Sequence, residues 1–459
     1  MLEPSVVFLA LAALGALAAL RPVVGMALAL ATVPWTGTAA YALDAPWLTH
    51  ALPLALLLPA AVRVAWERRH EKPTPGLRLL LLAGWIFAGL VSAALLLGRG
   101  PVSPEDRPLL VGLVGFATIF GCVPAILLAP TLTESHRQSP GLVRLLSASF
   151  LLACTLALVQ AVLIESGQCP QTPDLKVSAD NPCLVGGGYA HNTYYSSTRL
   201  PGTAASPWHW SWILIAGATI TVVGWFRDDR GRILHAAAAL SIVAASYVSG
   251  QRVALVLVPV ALASFAGAGW LARQRLSLRL LSLSAGAAVA LGAIVLGLSS
   301  LGALPQSLEI RIGDFGDRWR AASPSTFTRT QLEWVRHERP GLFGEGVGRG
   351  TNAARTFGST RLVEAFPAKR LFETGWIGAT LFLMLVLEIL RRSARRIRSC
   401  SVDAAVDRSQ LVVIWLFVFV LAAYPTWYAV DTPPTHAVFW LAVGLLWSAG
   451  SRTEDDSAR

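Results

Sequence analysis

The sequence has few charged residues. Asp, Glu, Lys and Arg make up 14% of its 459 residues, whereas a soluble domain averages about 25%. Hydrophobic residues make up 54%, and the mean hydropathy is positive. This composition excludes an ordinary soluble domain and is typical of a polytopic membrane protein. Apolar runs long enough to cross about 30 Å of hydrocarbon recur along nearly the whole chain, and such runs must be helical in lipid.

Other features are missing as well. Met1, Leu2 and Glu3 do not provide the basic start of a cleavable signal, so we expect the first apolar run to be retained. No internal repeat of fixed period and no low-complexity linker is visible. We predict an all-α polytopic membrane protein with about 13 transmembrane helices (12–14). The predicted spans are 4–20, 23–43, 47–65, 78–97, 109–130, 144–165, 208–226, 233–249, 253–271, 280–301, 371–390, 410–430 and 435–449.

Short basic connections predict the orientation, because such loops remain in the cytoplasm. With about thirteen spans, all of them fall on one side together with the C-terminal tail, and the N-terminus lies outside. The chain then divides into N-terminal helices (1–165), an outer loop (166–207), further helices (208–301), a large, partly helical outer loop (302–370) and C-terminal helices with a tail (371–459). The basic residues of the short connections are Arg63, Arg68, Arg69, Lys72, Arg78, Arg227, Arg230, Arg232, Arg273, Arg275, Arg279, Arg391, Arg392, Arg395, Arg396 and Arg398.

The first outer loop contains two cysteines, Cys169 and Cys183, in a stretch rich in Pro, Asp and Asn. Two cysteines that close a short loop on the outer side indicate a disulfide in an oxidising compartment. Two unpaired thiols are the alternative. A zinc site would need more ligands than this loop offers, although His191 is nearby.

The second outer loop is strongly basic. Its Lys and Arg residues outnumber seven acidic residues, which indicates an anionic partner. The alternative is that these side chains neutralise lipid headgroups and one another. The basic residues are Arg311, Arg318, Arg320, Arg329, Arg336, Arg339, Arg349, Arg355, Arg361, Lys369 and Arg370.

A single arginine stands between two apolar spans. Arg252, in SGQRVALVL, follows Gly250 at a tight helical turn on the outer side. A charge near membrane depth is costly unless it is paired or functional. We therefore expect Arg252 to belong to a site under the large loop, although an arginine that reaches to the headgroups is the alternative.

The large loop also contains the glycine-rich stretch GLFGEGVGRG at 341–350. Spaced glycines can form a phosphate-binding loop of a nucleotide-binding fold. This stretch follows no buried strand and lacks the Gly-Lys-Ser/Thr that such a loop requires. A nucleotide site is excluded, and we expect a Cβ-free turn that brings Arg329 and Glu364 close to Arg252.

Three motifs together resemble the O-antigen ligase and O-antigen polymerase superfamily of bacterial envelope glycosyltransferases. SGQRVALVL resembles the arginine-containing turn of that family. FTRTQLEWVRHERPGLFGEGVGRG resembles the end of its large periplasmic loop, and RLFETGWIGATLFLMLVL resembles its re-entering helix. The resemblance covers about residues 235–390. Before residue 235 only the general arrangement of membrane spans is similar.

The resemblance implies a GT-C-like fold in the bacterial inner membrane, with the N-terminus and active site periplasmic and the C-terminus cytoplasmic. It also implies transfer of an undecaprenyl-pyrophosphate-linked glycan to an acceptor sugar without a metal or other cofactor. The implied partners are the glycan donor, the acceptor glycan, the lipid bilayer and a chain-length regulator, with no nucleic acid. Stabilising a pyrophosphate leaving group calls for arginine forks, and the attacking hydroxyl calls for a general base.

When the family's functional residues are matched to this sequence one by one, Arg252 would clamp the pyrophosphate. Arg329 would be the second functional arginine of the family, and Arg318 and Arg320 are the alternatives for that role. The family's histidine is missing nine residues before Glu373, where Glu364 stands, so Glu364 is the proposed base and His337 the alternative. Glu373 is expected to be structural, in the first turn of the re-entering helix. Further expected substrate-binding residues are Arg336, Arg339, Lys369 and Arg370.

The missing histidine favours polymerisation of O-antigen or exopolysaccharide repeat units over ligation to lipid A core. Transport of a lipid-linked oligosaccharide, by a transporter or flippase, is an alternative function from a different class. It would require ionisable residues along a central path, whereas the spans contain almost none. A non-catalytic envelope assembly protein that has lost its base is the third reading.

Overall fold

The structure, a computed structural model, describes most of the chain. The described residues are 4–43, 47–68, 76–136, 141–166, 200, 202–204, 206–272, 316–317, 319–321, 323–361, 363–399, 405–424 and 433–457. Within these ranges every regular element is helical.

The helices follow one another as predicted for a membrane bundle. In chain order they are α1 (Pro4–Leu20), α2 (Pro22–Ala31), α3 (Thr36–Ala42), α4 (Leu48–Glu67), α5 (Leu77–Arg99), α6 (Pro108–Phe120), α7 (Ala125–His136), α8 (Gly141–Glu165), α9 (Pro207–Arg227), α10 (Arg232–Val248), α11 (Arg252–Ala272), α12 (Pro324–His337), α13 (Phe366–Ser399), α14 (Ala405–Ala423) and α15 (Pro433–Ser457). Short 3₁₀ turns cover Val33–Trp35, Asp229–Gly231 and Asn352–Phe357.

Local sequence signals define where two of these helices begin. Ser206 precedes α9 and Ser323 precedes α12, and each hydroxyl accepts a hydrogen bond from a backbone N–H of the first turn, those of His209 (3.3 Å) and Thr326 (3.2 Å). In both helices a proline follows the serine. Serine at the N-cap and proline at the first helical position are the residues that favour a helix start.

Seven helices among the described residues are long and apolar enough to cross a membrane. An eighth is added if the bent pair Pro22–Ala31 and Val33–Ala40 forms one span. This confirms a helical, multi-pass membrane protein, whereas the count of thirteen and the GT-C-like fold stay predictions. The seven are Leu48–Glu67, Leu77–Arg99, Pro108–Thr131, Gly141–Leu163, Pro207–Arg227, Asp229–Val248 and Phe366–Arg398. In this count Pro108–Thr131 runs across the turn between α6 and α7, and Phe366–Arg398 runs across a break in α13 at Gly375.

The predicted span at 371–390 is broken at Gly375, and the span at 410–430 is described only as far as residue 424. Three further predicted spans differ from the structure or fall outside it. The span at 23–43 bends by 45° between α2 and the 3₁₀ turn that contains Pro34. The span at 109–130 is divided into α6 and α7 by a turn at 121–124 that ends at Pro124. Both breaks coincide with a proline, which lacks the N–H that a continuing helix uses. The span at 280–301 lies outside the described residues.

The interior of the bundle contains a cluster of large rings, which we call the aromatic floor: Trp85 of α5, Phe120 of α6, Phe382 of α13 and Trp440 of α15. The Trp85 ring lies 4.6 Å from Phe120, 5.1 Å from Phe382 and 5.4 Å from Trp440, between ring centroids. Tilted and edge-on aromatic pairs at such distances are favourable beyond their buried area. The aromatic floor therefore joins four helices that are distant in sequence.

A buried polar cluster joins α8 to the connection between α9 and α10. The Arg144 guanidinium donates two hydrogen bonds to Asp228, and the ring of His235 lies between Asp228 and Ser147. The Arg144 hydrogen bonds lower the pKa of Asp228 to about 2. An ion pair of this kind, with one partner buried, fixes the relative position of the three helices.

Candidate functional site

The glycine-rich stretch at 341–350, which we call the glycine loop, is wedged between α5, α6 and a break in α13. Gly344, Gly346 and Gly348 have φ of +80°, +118° and +99°. A Cβ on Gly346 would lie 2.8 Å from the Leu96 side chain of α5, and one on Gly348 would overlap the Val111 carbonyl of α6. Glycine is required here because no other residue fits both the backbone conformation and the space.

The centre of the glycine loop is a protein carboxylate. Oε1 of Glu373 accepts hydrogen bonds from the N–H groups of Gly348 (3.2 Å) and Gly350 (2.9 Å) and from the Thr351 hydroxyl (2.8 Å). Glu373 is fully buried. Backbone amides that converge in this way form an anion site. In this protein the anion is supplied by the chain itself.

Glu373 therefore has a structural role, as expected, but from a different position. The helix begins at Phe366, so Glu373 lies near the end of a first short arm and not in the first turn of the helix. Its carboxylate ties that arm to the glycine loop. The Ser92 hydroxyl of α5 also donates to the Glu373 carbonyl.

α13 is broken at Gly375, which has φ +67° and ψ −170° inside the helix. Phe366 and Phe382 lie on either side of this break, with ring centroids 5.1 Å apart. In a straight helix these residues would be about 24 Å apart along the axis. The arm at 366–374, which we call the folded-back segment, therefore lies beside the long arm at 376–399. The Ile377 N–H donates to the Leu342 carbonyl (3.1 Å), which satisfies one group freed by the break.

The folded-back segment carries two cations into the protein interior. Lys369 and Arg370 are each only 3% exposed. The Arg370 guanidinium carbon lies 5.2 Å from the Phe366 ring centroid and 5.9 Å from those of Trp85 and Phe382. Cations over aromatic faces are stabilised by the ring quadrupole. Trp85 is about 21 Å from Arg99 along α5, so Arg370 reaches deep into the bundle.

A buried ion pair fixes the far end of the glycine loop. The Arg349 guanidinium donates to both carboxylate oxygens of Asp106, at 3.0 and 2.7 Å, and to the Ser359 carbonyl at 2.7 Å. The Arg349 hydrogen bond holds the pKa of Asp106 below its ordinary value. The Arg107 N–H donates to the Phe357 carbonyl (2.8 Å). The connection between α5 and α6 and the segment 349–359 therefore form one unit.

Glu364 is half-buried and attached to α12. Its backbone N–H donates to the Gln331 side chain at 3.1 Å. The apolar face of α12, with Val335 at its centre, packs against residues 363–372. The structure thus brings Glu364 to the same surface as the start of the folded-back segment.

The other predicted residues of α12 and its flanks are exposed. The Arg329 side chain is 81% exposed and pairs with Glu333 at 2.9 Å, and the Arg320 side chain is 80% exposed and pairs with Asp317 at 3.0 Å. Exposed pairs of this kind contribute little to stability. Arg336, His337 and Arg339 are also exposed. Arg318 lies outside the described residues.

Arg252 is the first residue of α11, after Gly250 with φ +63°, and is half-buried. The predicted tight turn between α10 and α11 is therefore present. α11 packs against α9 and α14, whereas α12 packs against α13. The helices that carry Arg252 and Arg329 therefore pack mainly against different neighbours.

The predicted disulfide of Cys169 and Cys183 lies outside the described residues. Cys122 and Cys154, which are described, are buried. Among the described residues, no group of three or more His, Cys, Asp or Glu side chains is placed to hold a metal ion.

Two features of the site were not predicted from the sequence. One is the pairing of Arg349 with Asp106, 243 residues away in sequence, which no local pattern indicates. The other is His436 of α15, which is 2% exposed and whose ring Nδ1 lies 2.9 Å from the Thr118 carbonyl of α6. A histidine at the start of the apolar run PPTHAVFWLAV was the available signal.

The chain was compared with known proteins. No family model and no curated protein matches it.

Proposed function

We propose that this chain is a membrane glycosyltransferase that acts at the periplasmic face of the bacterial inner membrane. It transfers an undecaprenyl-pyrophosphate-linked glycan to an acceptor sugar. Polymerisation of O-antigen or exopolysaccharide repeat units is the favoured reaction, and ligation to lipid A core is the alternative. The main support for the proposal is that Lys369 and Arg370 are buried on the folded-back segment, beside the glycine loop.

Two adjacent buried cations suit a pyrophosphate leaving group. Negative charge grows on the pyrophosphate as its bond to the sugar breaks, and fixed cations in a site of low dielectric stabilise that charge strongly. A guanidinium also matches phosphate oxygens in geometry. The aromatic rings around Arg370 hold its guanidinium in place, so little reorganisation would be needed during transfer.

The remaining assignments rest on the resemblance of the three motifs. Arg252 clamps the pyrophosphate, Arg329 is the second arginine, and Glu364 or His337 is the base. The GT-C-like fold, the thirteen spans, the periplasmic N-terminus and the cytoplasmic C-terminus belong to the same proposal. The attachment of Glu364 to α12, near the folded-back segment, supports a place for it at the site.

The test is a transfer assay with the full chain in lipid nanodiscs. The donor is the lipid-linked glycan extracted from cells in which the gene for this chain is deleted. We expect the chain to release undecaprenyl pyrophosphate and to lengthen the glycan. Lys369→Met and Arg370→Met should each slow release by about 100-fold or more, since losing one preorganised charge of this kind costs about 10²–10³ in rate.

The matched control is Arg63→Met, which removes an exposed cation of α4 that pairs with Glu67. It should leave release unchanged. Arg252→Ala, Arg329→Ala and Glu364→Gln test the other assignments in the same assay. Full activity in all five site variants would overturn the assignment of the site, and no release by the unmodified chain would overturn the function.

A transporter of lipid-linked oligosaccharide is the second candidate, and one observation favours it. Transporters bind their substrates at broken helices, and α13 is broken at Gly375 with buried charges on its short arm. The same nanodisc assay separates the two functions. A transferase breaks the bond between sugar and pyrophosphate, whereas a transporter leaves the donor intact. An intact donor that crosses the bilayer of a proteoliposome would favour transport.

A further inference from the structure

Two large apolar side chains are exposed where the glycine loop meets the break in α13. Leu342 of the glycine loop is 64% exposed, and Trp376, the first residue after Gly375, is 50% exposed. The Leu342 carbonyl accepts the Ile377 N–H, which brings Leu342 next to the start of the long arm. Single exposed apolar residues are common on protein surfaces, but a leucine and a tryptophan at one point form a small apolar surface.

This surface continues the exposed apolar side of α13. On the long arm, Leu383, Met384 and Leu387 are 57%, 47% and 55% exposed. Leu383 and Met384 follow Trp376 by seven and eight residues, a spacing that places side chains on one face of a helix. Because α13 is among the helices apolar enough to cross a membrane, that face contacts lipid. Leu342 stands at the end of it.

The length of the long arm limits how far from the bilayer Trp376 can lie. Arg391 is exposed and is the first of a run of arginines, which stay near the headgroups. Trp376 lies about 22 Å from Arg391 along the helix axis, whereas the hydrocarbon core is about 30 Å thick. Tilt of the helix would shorten the vertical distance further. Trp376, with Leu342 beside it, therefore lies no farther out than the opposite boundary of the hydrocarbon.

α5 gives the same depth independently. The Ser92 hydroxyl donates to the Glu373 carbonyl, two residues before Gly375, so this point of α5 is level with the break in α13. From there α5 stays apolar as far as Leu97, which is 48% exposed and lies about 8 Å farther along the axis. The lipid around α5 therefore extends past the level of the break.

The backbone around Leu342 is suited to contact with lipid. An unpaired N–H or C=O group is costly in hydrocarbon, where no water can bond to it. The Gly341 carbonyl accepts the Gly344 N–H at 3.2 Å, which closes a tight turn around Leu342. The Leu342 carbonyl accepts the Ile377 N–H at 3.1 Å. The exposed leucine is therefore presented by a turn whose carbonyl groups are already bonded.

We propose that Leu342 and Trp376 form a lipid edge of the glycine loop, which inserts among the acyl chains just below the headgroups. Tryptophan is enriched at this level of a bilayer, because its ring is apolar and its N–H reaches polar groups. The lipid edge fixes the depth of the glycine loop on one side, and packing against α5 and α6 fixes it on the other. This inference goes beyond the proposed function and applies equally to a transferase and a transporter.

The test uses a diazirine analogue of leucine, which is close to leucine in size, at position 342 of the full chain. The chain is held in nanodiscs of phosphatidylethanolamine and phosphatidylglycerol. Light converts the diazirine to a carbene, which inserts into whatever the side chain contacts. We expect mass spectrometry to find phospholipid adducts on the peptide that contains position 342.

Two control positions receive the same analogue. Position 383, on the lipid-facing side of α13, should give phospholipid adducts. Position 325, on the exposed polar side of α12, should give water adducts and no phospholipid adduct. Water or intrachain adducts at position 342, in nanodiscs where position 383 labels lipid, would overturn the inference.

Leu342→Asp gives a second measurement. The side chain packs little within the protein, since it is 64% exposed, and the substitution keeps the backbone bond to Ile377. A carboxylate is costly among acyl chains, so we expect a lower melting temperature in nanodiscs than for Ser325→Asp. Equal melting temperatures would contradict the lipid edge. If the unmodified chain shows no transfer, the proposed function fails, whereas phospholipid adducts at position 342 still establish the lipid edge.

Discussion

At the scale of single residues, Glu373 explains why the glycine loop exists. Its carboxylate occupies the position that a bound anion takes in other glycine-rich loops, with the amides of Gly348 and Gly350 directed at it. The loop is therefore assembled before any substrate arrives. The glycines are needed so that the backbone can come within hydrogen-bond distance of a buried side chain while resting on α5 and α6.

Replacing Glu373 tests this reading. Glu373→Ala leaves two buried amides and one hydroxyl without their acceptor, and each unsatisfied group costs about 1–3 kcal/mol. Glu373→Gln keeps an oxygen that can accept the same bonds, so we expect it to be less destabilising. The measurements are the melting temperature in nanodiscs and the rate of proteolysis within 341–350. Equal stability of the two variants would contradict the reading.

The contribution of Asp106 to the stability of the fold should depend on pH. Its ordinary pKa is near 3.8, and pairing with Arg349 lowers it in the folded protein. Its contribution to stability is therefore present above about pH 4 and is lost as pH falls through the lowered pKa. Asp106→Asn should cost about 3–5 kcal/mol at neutral pH, because it leaves a buried arginine without its partner. The difference from the unmodified chain should shrink in acid.

The matched variant for Asp106 is Asp228→Asn, which breaks the Arg144 pair away from the glycine loop. Thermal unfolding in nanodiscs between pH 3 and pH 7 measures both variants. Proteolysis of the glycine loop should increase only in Asp106→Asn. The same loop sensitivity in Asp228→Asn would show that the effect is general destabilisation.

At the scale of elements, the break at Gly375 decides where the cations of α13 lie. A continuous helix would carry Lys369 and Arg370 away from the bundle. The reversal at Gly375 returns them to the depth of Trp85. The sequence predicted a helix that re-enters the membrane, with Glu373 in its first turn. It could not predict the reversal, because the ring contacts that define it join residues distant in sequence.

Gly375→Ala should disrupt this reversal. An alanine is strained at φ +67°, and its Cβ would overlap the Leu342 carbonyl. We expect a loss of stability of about 1–3 kcal/mol from the backbone alone, and loss of transfer activity. Gly98→Ala in α5 is the control, since a Cβ there meets nothing within 4 Å. Circular dichroism melting and the transfer assay measure both, and equal behaviour would exclude the proposed strain.

At the scale of the whole molecule, composition and hydropathy were sufficient to predict a helical membrane protein. The shortage of charge required apolar helices, and prolines explain the breaks near Pro34 and Pro124. Of the candidate site, the sequence proposed Lys369 and Arg370 as phosphate ligands, but it could not show that both side chains are buried. The pairing of Arg349 with Asp106 and the place of His436 depend on tertiary packing, which one sequence does not encode locally.

The predicted orientation can be tested by cysteine labelling. Ser325→Cys places a thiol on the exposed face of α12, and Asp229→Cys places one at the connection between α9 and α10, where Asp229 is exposed. We expect a membrane-impermeant maleimide to label Ser325→Cys in intact spheroplasts and Asp229→Cys only after lysis. The opposite pattern would invert the topology and remove the site from the periplasmic face.

The aromatic floor sets an order for biogenesis. Trp440 on the last described helix completes the ring cluster that receives Arg370, yet the folded-back segment is synthesised about seventy residues earlier. The rings that Arg370 itself contacts, those of Trp85, Phe366 and Phe382, all precede α15 in the chain. Insertion of α15 therefore adds the last ring of the aromatic floor, and a ribosome stalled before α15 would leave a chain in which Arg370 has its ring partners but the aromatic floor is incomplete.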